Sequence, residues 1–291
     1  MVAERENMAI VLKGTEVAQA LNDKILVEVE KLRAKGVVPT LATVRVGERA
    51  DDIAYERAAV TSAKKAGVEV RNVVVPETIS QEDLIEQIEL LNADSAVHGI
   101  LLFSPLPEHL DEKVVCEALA VVKDIDGITK LSHAGVFTDS PTGYAPCTPS
   151  ACLEILDHYG IEISGKHAVV IGRSLVVGKP VAMMLLQRNA TVTICHSRTV
   201  DLPAVTRSAD LVIACVGRAK MINEQYLSEN QTVIDVGINV SEDGRIVGDV
   251  DFEAASAKVA AITPVPGGVG AVTTKVLLKH VVEVAKAVSN L

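Results

Sequence analysis

The chain has 291 residues, 28 Lys+Arg against 38 Asp+Glu for a formal net charge of −10, and is 48% hydrophobic, 23% charged and 2% aromatic. That apolar content excludes a disordered chain, and the length allows two domains with separate cores. The acidic balance and the scarcity of stacking aromatics argue against nucleic acid as a partner, and no apolar run reaches the roughly 18 residues that a membrane span needs. The first residues are acidic and their apolar stretch is too short for a signal peptide. Five cysteines (Cys116, Cys147, Cys152, Cys195, Cys215) are scattered and form no C-x-x-C. Neither a disulfide framework nor a metal site is expected, and a reducing cytoplasm is.

Along the chain, two kinds of apolar stretch alternate. Val17, Leu21, Ile25, Val29 and Leu32 recur at helical spacing across Thr15 to Lys35, and Gly36 stops that helix. Thr40 to Val46 is short and β-branched and predicts a strand. A helix over Ile53 to Ala66, a strand over Val68 to Val75, a helix over Gln81 to Asn92 and a strand over His98 to Leu102 follow. Such alternation predicts βαβ units and a mainly parallel sheet.

From Lys130 to Pro149 the rhythm breaks among Gly135, Pro141, Gly143, Pro146 and Pro149, which predicts a loop or linker and a domain boundary. Pro149 suits the first turn of a helix running to about His158. Strands are then expected at His167 to Ile171, Thr191 to Cys195, Leu211 to Val216 and Thr232 to Val236, with a helix near Val177 to Gln187. The last segment, Val272 to Val288, is helical, and the Gly-rich turn before it can return it to the first domain. The fold class is therefore two-domain α/β, divided as 1–148, 149–267 for a Rossmann-like nucleotide domain, and 268–291 as the segment packing back.

The strongest local signal is H-A-V-V-I-G-R-S-L-V-V-G-K-P, residues 167–180. A buried strand runs into Gly172, Ser174 stands at the usual middle glycine, and Gly178 opens a helix. Glycines at such a turn let backbone N–H groups approach a pyrophosphate, whose charge the helix N-terminus favours. The bare pattern also fits a tight βα turn without a ligand. The next strand ends in His196, Ser197 and Arg198, where a site for NAD would place an acid against the ribose 2′-hydroxyl. With Arg173 nearby, a hydroxyl and two guanidiniums suit a 2′-phosphate, so NADP is favoured and NAD is the alternative.

I-G-R-S-x-x-V-G-x-P, T-V-T-x-x-H-S-x-T, K-D-x-D-G and T-P-V-P-G-G-V-G, in this order and over nearly the whole chain, resemble the methylenetetrahydrofolate dehydrogenase/cyclohydrolase family. The resemblance implies a homodimer joined through its nucleotide domain, a folate cleft between domains, and NADP-dependent oxidation of 5,10-methylenetetrahydrofolate followed by hydrolysis of the methenyl product. It places Gly172, Arg173, Ser174, Gly178, Ser197, Arg198 and Ile238 at the cofactor. It gives Tyr55 and Asp126 catalytic and folate-binding roles, with Asp126 on the pterin ring. Phe103, Pro264, Gly267 and Gly268 join them at the substrate.

The chain departs from this family in the folate half. The family has Tyr followed four residues later by Lys, on one helix face. Here Y-E-R-A-A puts Ala59 at that place; Arg57 lies about 200° around the helix from Tyr55, and Lys64 and Lys65 are too far along it. Phe103 replaces the Gln that helps hold the Lys, Ser104 follows it, Asp52 stands where Ser is common, and Ala271 replaces a Pro. Hydride transfer needs mainly orientation, whereas water addition needs proton movement. The expectation is a dehydrogenase with weak or absent cyclohydrolase activity; an ordinary bifunctional enzyme and an NADP oxidoreductase with a non-folate substrate are the alternatives.

Overall fold

The computed structural model describes residues 8–289. In chain order its elements are β1 (Ile10–Val11), α1 (Gly14–Ala34), β2 (Thr40–Val46), α2 (Ala50–Lys65), β3 (Glu69–Val75), α3 (Gln81–Ala93), β4 (Gly99–Leu102), α4 (Glu112–Glu117), α5 (Lys130–Thr138), α6 (Cys147–His158), β5 (His167–Ile171), α7 (Gly178–Gln187), β6 (Thr191–Cys195), α8 (Leu202–Arg207), β7 (Leu211–Ala214), β8 (Thr232–Asp235), β9 (Asn239–Val240), β10 (Ile246–Val247), α9 (Phe252–Ser256), β11 (Ala261–Ile262) and α10 (Val269–Val288). They form two compact units, one of residues 19–147 with 274–289, the other of residues 8–18 with 148–273.

The first unit holds a three-stranded sheet in the order β3-β2-β4, parallel throughout. The two faces of β2 do different work because side chains alternate along a strand. Ala42, Val44 and Val46 join Leu84, Ile88, Ile100 and Leu102 in an apolar core. Thr43 and Arg45 point the other way, to Glu56 of α2, whose carboxylate accepts from the Thr43 hydroxyl at 2.9 Å and from Arg45 Nε at 3.0 Å. Asn72 of β3 completes this buried cluster with a bond to Glu56 of 2.8 Å. Three donors compensate the desolvated carboxylate and hold its pKa below the ordinary value despite burial. The pair thus fixes the register of α2 on the sheet, one residue from Tyr55.

The second unit is built on a six-stranded sheet in the order β1-β11-β8-β7-β5-β6, every neighbouring pair parallel. The chain leaves β5 for β6 on one side and returns to β7 on the other. That reversal opens a crevice at the carboxyl ends of β5 and β7, where α/β sheets of this kind bind ligands.

One expected loop is a helix. Residues 130–138 form α5, capped by the Thr129 hydroxyl, which accepts from Ser132 N at 3.2 Å, and ended by Asp139 in the left-handed conformation, φ 52°. Gly135 is buried there because a side chain would overlap the Thr142 carbonyl. A helix this short carries too few apolar repeats to stand out among five prolines and glycines.

Candidate functional site

The crevice of the second unit is lined first by the β5 exit. Gly172 has φ 136°, and a Cβ on it would overlap the Cys215 carbonyl beyond β7. A Cβ on Gly178 would overlap the Gly172 carbonyl. Both glycines are therefore forced by backbone packing, and the turn they make is closed tightly enough for backbone amides to face a ligand. Ser174 caps the opening of α7, its hydroxyl accepting from Val177 N at 3.1 Å. Replacing Gly178 by Ala is expected to lower dinucleotide affinity at least tenfold and stability by about 1–3 kcal/mol, since backbone must shift; titration with NADPH and thermal melting read the two effects.

Beyond β6, residues 196–199 close on themselves: His196 N donates to the Thr199 hydroxyl at 2.9 Å, and Arg198 N donates to His196 Nδ1 at 3.1 Å. This leaves the Ser197 and Arg198 side chains exposed, as is Arg173. Among the described residues neither Arg173 nor Arg198 is paired with a carboxylate, in contrast to Arg188, whose guanidinium holds Asp157 at 2.6 and 3.1 Å. Unpaired guanidiniums beside a hydroxyl are a donor set for a phosphate, so the residues present fit a phosphorylated dinucleotide. Ile238 is 69% exposed, and Gly270 lies beside it, a Cβ there falling 3.7 Å from Ile238 Cδ1. Pro264, Gly267 (φ 93°) and Gly268 form the turn between β11 and α10, in this same unit. Tyr55, Phe103 and Asp126 belong to the other unit.

In that other unit, Tyr55 stands on α2 and is 42% exposed. Phe103, at the end of β4 and 5% exposed, packs edge-on against it at 5.9 Å between centroids and 81° between planes. Ala59, one turn beyond Tyr55, is 1% exposed. Among the described residues no ammonium acts on this phenol: the Thr274 hydroxyl bonds it and Asp126 adds a negative charge. Desolvation, reinforced by that negative neighbour, raises the phenol to about 12, so it stays protonated. Asp52 is buried and binds Arg49 Nη2 at 2.6 Å, and that guanidinium also donates to the Ser104 carbonyl at 3.0 Å. Arg49 thus ties Asp52 to the chain at Ser104.

The K-D-I-D-G loop divides its two acids by environment. Asp124 is fully buried and accepts from Ile128 N (3.0 Å), Thr129 N (2.9 Å) and the Ser132 hydroxyl (2.6 Å), so it builds the loop. Lys123 buries its ammonium among the carbonyls of Leu91, Asn92 and Asp94 at 2.7–2.9 Å, anchoring the other side. A Cβ on Gly127, φ 67°, would overlap the Tyr144 carbonyl. Asp126 is half-buried, the less enclosed of the two acids. Desolvation pushes it up to about 6, against hydrogen bonds from Cys147 that favour the anion.

Reading the sequence missed the support around Asp126. His280 of α10 donates from Nδ1 to the Ile125 carbonyl at 2.8 Å and lies under Tyr144 at 4.6 Å between rings. Burial lowers its pKa to about 4, so the imidazole is neutral. Cys147 contacts Ile125, Asp126 and His280 while burial keeps its thiol protonated. These residues lie far apart in sequence, and only the P-C-T-P run around Cys147 offered a signal.

Residues 12–126 match the model of the tetrahydrofolate dehydrogenase/cyclohydrolase catalytic domain and residues 146–289 that of its NAD(P)-binding domain. The chain belongs to the tetrahydrofolate dehydrogenase/cyclohydrolase family. It is 50% identical over 286 residues, 98% of this chain and 100% of the other, to the bifunctional protein FolD of Carboxydothermus hydrogenoformans. The fold is similar to that of the bifunctional FolD enzyme of Campylobacter jejuni, with TM-score 0.94, 37% identity and 96% and 99% of the two chains covered. It is similar as well to the Trypanosoma brucei dehydrogenase-cyclohydrolase, solved with NADP and an inhibitor, with TM-score 0.90, 35% identity and 97% and 99% covered. Family membership accounts for the two α/β units and for an NAD(P)-binding domain in the second.

Proposed function

We propose that this protein oxidises 5,10-methylenetetrahydrofolate to the methenyl compound with NADP+, and that it hydrolyses the methenyl product weakly or not at all. The observation that carries the second half is the packing of Tyr55 against Phe103 beside buried Ala59, with no lysine among the described residues acting on its phenol and Asp126 adding a negative charge. Bound NADP+ supplies the hydride acceptor. The chain's part in that step is orientation: Tyr55 offers a ring face along the folate, and Asp126 accepts paired hydrogen bonds from the pterin amide and amino group. The methylene carbon loses hydride and becomes a cation delocalised over two nitrogens, so no protein group has to move a proton.

Hydrolysis is different. Water adds to the methenyl carbon and loses a proton, then the carbon–nitrogen bond opens and the nitrogen gains one. Each move calls for a positioned acid or base. A phenol held near 12 is a poor base, and no ammonium is at hand to lower it. An absorbance time course with 5,10-methylenetetrahydrofolate and NADP+, following methenyl product and NADPH separately, tests the reading. Methenyl should accumulate with NADPH and decay at its uncatalysed rate. NADPH formation without methenyl accumulation would show an ordinary bifunctional enzyme, as the relatives are named. Absence of any folate-dependent reduction would point to another substrate.

NADP over NAD is supported by the exposed, unpaired Arg173 and Arg198 with Ser197 between β6 and α8. A charge-assisted bond is worth about 1.5–3 kcal/mol, so Arg198→Ala should raise KM for NADP+ roughly 10–100-fold and leave KM for NAD+ nearly unchanged. Equal effects on both would remove the guanidinium from the 2′-phosphate. The resemblance also supports a homodimer, which sedimentation would test. Among the described residues no helix is long and apolar enough to cross a membrane.

A further inference from the structure

We propose that Asp249 is a positioning residue for the dinucleotide, the buried hub that holds two walls of the crevice in place without touching the cofactor. The proposal rests on the reading of the Gly172 turn as a dinucleotide site. Asp249 follows β10 and is 0% exposed. Its Oδ2 accepts from the backbone N–H of Val216 at 2.6 Å and of Gly217 at 3.0 Å. Its Oδ1 accepts from Arg218 N at 2.9 Å and from Asn239 Nδ2 at 3.0 Å. Four donors converge on one carboxylate, and none is a cation.

The segments it joins are those that border the crevice. Residues 215–218 leave β7, and Cys215 of that loop is pressed so closely on Gly172 that a Cβ there would overlap its carbonyl. Asn239 follows Ile238, the exposed residue assigned to the cofactor. A Cβ on Gly237 would overlap Asp249 itself, so this turn is seated directly on the carboxylate. Asp235, at the end of β8, holds the backbone of the hub, accepting from Asp249 N at 3.0 Å, Val250 N at 2.9 Å and Gly237 N at 2.9 Å. The strands beneath keep their own hydrogen-bonded ladder. What Asp249 adds is therefore the placement of loops, and its loss should appear in cofactor binding before it appears in the sheet.

Asp249→Asn is the direct test, because the amide turns one acceptor into a donor facing other donors at unchanged size. NADPH affinity, read from the fluorescence of the bound nucleotide, should fall at least tenfold. KM for NADP+ should rise in parallel, with kcat and KM for the folate within about twofold of wild type. Asn239→Ala removes one of the four donors at a part-exposed position and should weaken NADPH roughly threefold with an unchanged melting temperature. A folded Asp249→Asn protein that binds NADPH as wild type does would overturn the proposal. If that variant does not fold, unchanged NADPH affinity in Asn239→Ala overturns it instead. Wild-type protein that binds NADPH yet reduces no NADP+ with 5,10-methylenetetrahydrofolate would defeat the proposed reaction and leave Asp249's role standing, whereas failure to bind NADPH removes both.

Discussion

Placing Lys at position 59 together with Gln at position 103 should create methenyltetrahydrofolate hydrolysis at about 10²–10⁴ times the level of the wild-type protein, the range a positioned acid or base contributes. Both changes are needed because Ala59 is sealed from solvent and Phe103 fills the space beside Tyr55. Ala59→Lys alone would push an ammonium against an aromatic ring with no acceptor, depress its own pKa and destabilise α2. In the double variant the Gln carbonyl can accept from the ammonium, and the ammonium lies one helical turn from Tyr55, where its charge lowers the phenol below the present value of about 12. The measurement is decay of isolated methenyltetrahydrofolate without nucleotide. A double variant that folds, still oxidises the methylene substrate and hydrolyses no faster than wild type would refute the account of Ala59 and Phe103. Rapid hydrolysis already present in wild type would move the proton-carrying role to another group.

The second large effect belongs to Asp126. Asp126→Asn should reduce kcat/KM for the folate about 10²–10³-fold, since a carboxylate accepting two hydrogen bonds becomes an amide offering one acceptor. NADPH affinity should be unaffected. In the wild type, the raised pKa of about 6 means the Asp126 anion is lost as pH falls through 6, so if the proposed pterin contact holds, kcat/KM for the folate should decline below that point. The same shift makes a stability prediction. A carboxyl with a folded pKa above its unfolded value of 3.8 favours the folded chain fully below about pH 4 and loses that contribution as pH rises through 6. Asp126→Asn escapes that loss and should be more stable than wild type at pH 8, by on the order of 2 kcal/mol, with the difference vanishing near pH 4. A variant equally stable at both pH values would show that Asp126 is better solvated than its position implies.

These two sites differ in how far the sequence alone discloses them. Strand β5 falls at the residues predicted because a buried parallel strand is a continuous apolar stretch, and edge strand β6 falls where its β-branched Thr191, Val192, Thr193 and Ile194 predict; both signals are local. The glycines at 172 and 178 are legible for the same reason: a strand running into Gly, with a second Gly opening a helix, has few other structural meanings. The absence of Lys at 59 and of Gln at 103 is equally a property of sequence, once the motif gives the frame.

Tertiary structure decided the rest. The sequence offers Asp124 and Asp126 as a near-symmetrical pair, and only folding buries the first among three donors while leaving the second half-buried with a raised pKa. His280 lies 155 residues from the Ile125 carbonyl it binds, and Asp249 more than 30 from the loop it holds. Helix α5 is short, and its start and stop depend on a Thr cap and a left-handed Asp rather than on periodicity. Periodicity and turn chemistry are written residue by residue, so they can be read before folding. Desolvation and the convergence of distant donors on one carboxylate depend on which segments the fold brings together, and these are what separate a structural acid from a functional one.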